Sequence, residues 1–281
     1  MIGFVLEGGA MRGMFTAGVM DVLMENDIPM DAAIGVSAGA CFGCNLKSKQ
    51  IGRVLRYNLR FAKEKKYCSV SSWIKTGDLY GAEFCYHTLP KELDVMDKET
   101  YESNPMKFEV CATDVETGKP VYHDCALLNE ESLEWIRASA SMPIAARPVE
   151  INGKKYLDGG ISDSVPVQYY LNEGYEKIVL ILTQPKGYRK KPMKGMKLIG
   201  KALKDYPKVV EALQNRHIMY NETMDQIDAL EKEGRIFVIR PDEKLNIGKT
   251  EHNTVKIRSI YKKGRFVMFK HMDELKAYLE V

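Results

Sequence analysis

The chain has 281 residues, 45% of them hydrophobic and 28% charged, and a formal net charge of +3. That length suits one large core with an appendage, and so modest a charge excludes a general nucleic-acid binder. No apolar stretch approaches the ~20 residues needed to cross a membrane, and the first apolar run stops at Glu7, which makes it a core strand and not a secretory leader.

In chain order, Ile2–Leu6 reads as a buried strand. A glycine-rich turn follows, then a helix over Met14–Asn26 with Phe15, Val19, Val22 and Leu23 at helical spacing. Ala32–Val36 reads as a second strand and Ala38–Leu46 as a helix. A β-α-β-α opening implies a parallel sheet with right-handed crossovers. Residues Lys47–Pro105 are mixed and partly helical, an insertion expected over the site. Phe108–Asp114 and Pro120–Asp124 form a hairpin around Glu116-Thr117-Gly118-Lys119, and Glu130–Ala138 a helix. Asn152-Gly153 between alternating apolar positions marks a second hairpin of the primed-turn type. Lys177–Thr183 suits a central strand. Composition then shifts at Lys186 to lysine-rich helix, with Ile236–Ile239 as one more strand and Asp273–Leu279 as a closing helix. The expected fold is a three-layer α/β/α sandwich on a mainly parallel sheet. Residues 1–185 form its catalytic part, and 186–281 a mostly helical extension packed on the core.

Three segments carry chemistry. In Gly35-Val36-Ser37-Ala38-Gly39 a strand turns at one serine into a helix, and the glycines remove side chains that such a sharp turn would make collide. The turn leaves the hydroxyl at a helix start, where free N–H groups favour a developing negative charge. The competing reading of Ser37 is a helix N-cap. In Gly8-Gly9-Ala10-Met11-Arg12-Gly13, backbone N–H groups can converge on an anion. A dinucleotide fingerprint would need an acidic residue ending the next strand. That strand ends in Ser37, so the dinucleotide reading fails. The third segment is Asp158-Gly159-Gly160, delivered by the returning strand of the second hairpin; a plain Asp-Gly turn is its alternative.

Together these segments resemble the patatin-like phospholipase family. Gly8, Gly9, Ala10, Arg12 and Gly13 are similar to its oxyanion loop, Gly35 and Gly39 to the flanks of its nucleophile elbow, and Asp158-Gly159-Gly160 to its catalytic Asp-Gly-Gly. Ala138-Ser139-Ala140-Ser141-Met142-Pro143 is similar to the stretch preceding that aspartate. The resemblance spans Ile2 to Pro166. It implies a Ser–Asp dyad, Ser37 as nucleophile and Asp158 as base, acting on acyl esters of lipids and phospholipids without cofactor or metal. It departs at Ala10, where the family usually has a third glycine.

The histidines bear on the dyad separately. His217, His252 and His271 follow Asp158, an order that permits a triad. Only one strand precedes Ser37, however, unlike the α/β-hydrolase elbow, and neither these three nor His87 and His123 sit in a catalytic context. A free aspartate, with a pKa of about 3.9, is a poor base for a hydroxyl, so Asp158 needs desolvation to raise it. The oxyanion donors expected are the N–H groups of Gly9 and Ala10, with Ala38 in addition. Arg12 either orients that loop, meets a lipid phosphate, or is a surface arginine.

Without a leader, the six cysteines read as thiols in a cytoplasmic protein. Cys41 and Cys44 lie on the helix after the elbow, and no second pair matches them as a metal site. Lys194, Lys197, Lys201 and Lys204 share one helix face, with Met196, Ile199, Leu203 and Tyr206 opposite and Pro207 expected to end the helix. That helix is either a peripheral membrane contact or an ordinary surface helix with its apolar side on the core. A second functional reading is a catalytically weak lipid-binding module whose oxyanion loop Ala10 has impaired.

Overall fold

The computed structural model describes residues Met1–Val281. The chain begins with β1 (Ile2–Leu6), a short 3-10 turn over Ala10–Arg12, α1 (Gly13–Glu25), β2 (Ala32–Val36) and α2 (Ala38–Lys47). Next come α3 (Arg53–Arg60), α4 (Val70–Thr76), a π-helical stretch over Phe84–Leu93 and α5 (Lys98–Ser103). The hairpin of β3 (Lys107–Asp114) and β4 (Pro120–Asp124) leads to α6 (Glu130–Ser139), where Asn129 caps the helix by accepting from Ser132 N–H. The second hairpin pairs β5 (Val149–Ile151) with β6 (Lys154–Asp158), and both turn residues, Asn152 and Gly153, have positive φ as the primed turn requires. Then follow α7 (Val167–Asn172), β7 (Lys177–Ile181), α8 (Met196–Ala202), α9 (Pro207–Lys232), β8 (Ile236–Ile239), α10 (Thr254–Lys270) and α11 (Met272–Leu279).

The central strands β3, β2, β1, β7 and β8 are mutually parallel, and β4, β5 and β6 add antiparallel pairs. Alternation along the strands divides the core into two faces. Phe4, Leu6, Val179 and Ile181 join α1, α2 and α10 on one side. Val5, Ile34, Ile178 and Leu180 join α7 and α9 on the other. This is the expected three-layer α/β/α architecture. Residues beyond 185 supply a helix to each face and the edge strand β8.

Helices α1 and α10 touch backbone to backbone. A Cβ on Gly18 would lie 2.1 Å from the Tyr261 carbonyl oxygen, and one on Gly264 would lie 2.0 Å from that of Phe15. Only glycine at both positions permits so close a crossing.

One expectation about the C-terminal region needs correction, and of the two readings of the lysine helix the packing favours the surface helix. Pro207 does not simply end a helix: it opens the 26-residue α9, because the first helical turn has no use for the N–H that proline lacks. The Met196–Tyr206 face is not free to insert into a membrane. Leu203 is buried, and Met196, Ile199 and Tyr206 pack with it against Val209, Leu213 and Ile161. The four lysines point to water.

Candidate active site

Strand register places the two reactive side chains. On β3, Glu109 to Thr113 pair with β4 on one edge, while Lys107 to Cys111 pair with β2 on the other. Strand β6 takes over that second edge where β2 stops: Val36 pairs with Cys111, and Asp158 with the next residue, Ala112. The C-terminal ends of β2 and β6 thus meet head-on. Ser37 and Asp158, one residue beyond and at these ends, open into one cleft.

Ser37 adopts φ 57°, ψ −121°, a left-handed conformation that costs a non-glycine residue of order 1–3 kcal/mol and persists only where surroundings enforce it. Its side chain makes no capping hydrogen bond, so it is not an N-cap in the ordinary sense. The enforcing contacts are specific. A Cβ on Gly39 would sit 2.2 Å from the Leu6 carbonyl oxygen, and one on Gly35 would sit 2.4 Å from that of Gly39. The Ser37 N–H donates to Ser139 Oγ at 3.0 Å, and that hydroxyl donates to the Cys111 carbonyl at 2.6 Å. Nothing local to Ser139 in the sequence marks this role, because the bond joins residues 102 positions apart.

Asp158 is 1% exposed. Its Oδ1 accepts from Gly160 N–H at 2.7 Å, while Oδ2 is buried with no hydrogen bond of full geometry. Burial pushes the carboxyl above the ordinary aspartate range, opposed by Arg216, the Ser37 hydroxyl and the Gly160 N–H. Oδ2 is the carboxylate oxygen left free for a proton donor in the cleft that it shares with Ser37. Thr113 Oγ1 holds the Asp158 carbonyl at 2.8 Å. A Cβ on Gly159 would meet the Cys111 carbonyl oxygen at 2.1 Å, which is why small residues follow the aspartate.

The glycine-rich loop backs onto the elbow: a Cβ on Gly8 would be 2.7 Å from Ser37 Cβ. Ala10 has φ 49°, so the alanine occupies a left-handed position at a cost of roughly 1–2 kcal/mol. The N–H groups of Gly9, Ala10 and Ala38 donate to no protein acceptor and are free for an oxyanion. Gly13 starts α1, and a Cβ there would press on Phe42 at 2.8 Å. Behind the loop, buried Glu7 accepts from Thr183 N–H at 2.6 Å and from Tyr220 OH at 2.8 Å. Arg12 Nε donates to Thr183 Oγ1 at 3.4 Å.

Two cavities meet at Ser37. One, of about 150 Å³, is mainly apolar and runs between α2, α6 and the Lys47–Pro105 insertion, past Cys41, Tyr57, Tyr86, Leu89 and Ile136. The insertion thus roofs the site as expected. The other, of about 360 Å³, is polar and contains Asp158, Arg12, Lys190 and Arg216. No histidine lines either. His87 contacts Glu130 and Glu134, His123 stacks on Trp135, and His217, His252 and His271 bond to Gln214, Ala62 and Glu274. Burial pushes the Cys41 thiol up to about 12 and the Cys44 thiol up to about 11, so both act as apolar lining.

Residues 4–171 match the family model of patatin-like phospholipases, and that match covers more than half of the chain. The chain belongs to the patatin-like phospholipase family. Membership makes it a lipid acyl hydrolase. Residues 206–280 match a second model, a domain of unknown function termed DUF6363. Among relatives, YjjU of Escherichia coli, described as uncharacterized, is 29% identical over 94% of this chain and 75% of its own length. Lysophospholipase NTE1 of Saccharomyces cerevisiae is 27% identical over 64% of this chain. The same enzyme of Candida glabrata is 27% identical over 59%. The chain spans only about a tenth of those two fungal proteins, 10% and 9% of their lengths. VipD of Legionella pneumophila superposes with a TM-score of 0.47 at 12% identity, over 97% of this chain and 66% of that one.

Proposed function

We propose that the chain cleaves carboxylic ester bonds of lipids, lysophospholipids among them, through a Ser37–Asp158 dyad and an acyl-enzyme. The carrying observation is that β2 and β6 end head-on along one edge of β3, setting Ser37 against a buried carboxylate with a spare oxygen in a cleft without histidine. The likeness to NTE1 lysophospholipases supports the substrate class.

In the first half-reaction Ser37 Oγ attacks the ester carbonyl carbon and its proton passes to Asp158 Oδ2. The oxyanion so formed takes hydrogen bonds from Gly9, Ala10 and Ala38 N–H, each typically worth about 2.7–4 kcal/mol at such a site. Collapse breaks the carbonyl–alkoxy bond, and the leaving alcohol takes the proton from Asp158. Water then gives a proton to Asp158 and adds to the acyl carbon. The fatty acid departs as Ser37 regains the proton. Desolvation suits Asp158 to this task by raising its basicity. The acyl chain lies in the apolar cavity and the alcohol part in the polar one, with the scissile bond at their junction.

We favour hydrolysis over a weak lipid-binding module because Ala10 adopts the left-handed conformation ordinarily given to glycine, which keeps its N–H in the loop. A fluorophosphonate should label Ser37 stoichiometrically in the native protein. Label on another serine, or ester hydrolysis persisting in Ser37→Ala, would overturn the proposal.

Contact with a lipid surface belongs to the same proposal, through a rim different from the lysine helix. Helix α4 has no buried residue and exposes Val70, Trp73 and Ile74, the last 74% exposed. Beside it stands Ile144, a β-branched residue held at φ 72° while Trp73 Nε1 donates to its carbonyl at 2.6 Å. Trp73 and Ile144 border a groove that shares Leu79, Met142 and Arg216 with the Ser37 cleft. An exposed tryptophan flanked by aliphatic residues suits the interfacial layer of a bilayer. No helix is long and apolar enough to cross one.

A further inference from the structure

Besides exposed Lys249, three half-buried cations stand in the polar cleft without an ion-pair partner. Arg12, Lys190 and Arg216 all line it, and none takes part in an ion pair. Elsewhere the chain neutralises its sequestered arginines: buried Arg53 pairs with Asp94, and half-buried Arg240 with Asp228 and Glu231. The three acids within the cleft are otherwise engaged, Glu7 by Thr183 and Tyr220, Asp78 by the Arg147 N–H, and Asp158 Oδ1 by Gly160. Positive charge gathered in a half-buried cleft with no ion-pair partner is costly unless an anion completes it.

The placement of the three is informative. Arg12 lies against the oxyanion loop, with Nη2 only 2.9 Å from where a Gly9 Cβ would be. Arg216, from α9, donates through Nε to the Gly160 carbonyl, so it flanks the aspartate motif. Lys190 Nζ stands 4.1 Å over the Tyr220 ring, a face able to hold a cation while leaving its donors free. Burial, with Arg216 beside it, brings the Lys190 ammonium down to about 7; Glu7 opposes that shift and Arg12 adds to it. A point charge and two guanidinium forks around one space fit a tetrahedral oxyanion. Two of the three, Lys190 and Arg216, lie outside the family-matched residues 4–171.

Resting on the dyad reading above, we infer that this cleft binds the phosphate of the substrate's alcohol part. The preferred substrates are then acyl esters of glycerol phosphate, their chain in the apolar cavity and their phosphate between Lys190, Arg216 and Arg12. Lys190 and Arg216 are the specificity-determining residues.

The test compares a monoacylglycerol phosphate with the monoacylglycerol of the same chain. Wild-type kcat/KM should favour the phosphate ester by about tenfold or more, the scale of one charge-assisted contact. Lys190→Gln and Arg216→Gln should each collapse that ratio, and Lys190→Arg should restore much of it. Glycerol 3-phosphate should inhibit hydrolysis of a neutral soluble ester better than inorganic phosphate does. Equal preference for the two esters, unchanged in the variants, would overturn the inference. So would equal inhibition by the two phosphates, which would mark a free-anion site. Calorimetry of glycerol 3-phosphate with Ser37→Ala protein separates this inference from the dyad. Binding that is lost in the Ser37→Ala/Lys190→Gln double variant supports the cleft even if no ester is cleaved, and absence of binding sinks it even if esters are.

Discussion

The backbone N–H of Ser37 is held by the hydroxyl of Ser139, which in turn holds the Cys111 carbonyl on the neighbouring strand. One buried hydroxyl thus ties the nucleophile turn to α6 and to β3. Ser139→Ala leaves a donor and an acceptor unmet, at a cost of order 1–3 kcal/mol. A thermal melt should show a drop of several degrees for a chain of this size. The kcat of a soluble ester should fall more than its KM rises, since the hydroxyl positions the nucleophile and touches no substrate.

Asp158→Asn should lower turnover by about a thousandfold or more, the scale of losing a base. Its melting temperature should equal or exceed wild type. Burial raises the folded-state pKa of this carboxyl, so the fold disfavours its charge. The resulting loss of stability is absent below the unfolded pKa of about 3.9, grows as pH rises from there, and is complete once pH has passed through the folded value. Asparagine removes it. The same shift gives wild-type kcat/KM an acid limb above the ordinary aspartate range. Alanine variants of the five histidines, compared in the same assay, should keep that limb.

Ala10→Gly should raise the melting temperature by a degree or two, because relief of the left-handed alanine, about 1–2 kcal/mol, outweighs the added freedom of the unfolded chain. A kcat gain of a hundredfold or more in this variant would show that the alanine does impair the oxyanion loop.

The apolar cavity sets which chains fit. Cys41→Phe fills space beside Ser37, so the kcat/KM ratio of octanoyl to acetyl nitrophenyl esters should fall by about tenfold, as several methylenes lose their burial. An unchanged ratio would place the chain elsewhere.

Of the two tryptophans, Trp135 is buried and Trp73 sits on the exposed rim. Binding to phospholipid vesicles should shift the emission of Trp73 to the blue, and Trp73→Ala should abolish that change. Reversal of Lys194, Lys197, Lys201 and Lys204 to glutamate should weaken binding far less than Trp73→Ala does.

Local pattern carried the opening β-α-β-α unit, both hairpins and the segments around Ser37 and Asp158, since each depends on neighbours a few positions away. Other features were invisible for a physical reason. Ser139, Lys190 and Arg216 act on groups far along the chain, and nothing in their surroundings marks a partner. The start of α9 was hidden within the lysine-rich helical region by Pro207, read as a stop when it occupied a start. Helix α10 carries β-branched Thr254, Val255, Ile257, Ile260 and Val267 and has Gly264 within it, features that lower helical propensity. Strain at Ile144 likewise follows from tertiary contacts, and no residue type announces it.

The crossing at Gly18 and Gly264 bears on how such a chain can be cut, fused or inherited. A methyl group on either helix would drive the two apart, so neither glycine can change alone without the other helix moving. The segment after residue 185 is accordingly no detachable accessory. Its removal would strip the cover from α1, the helix that begins where the oxyanion loop ends, and the reacting atoms would lose their footing along with it. Trimming this chain to its family-matched portion should yield insoluble protein, not a smaller enzyme.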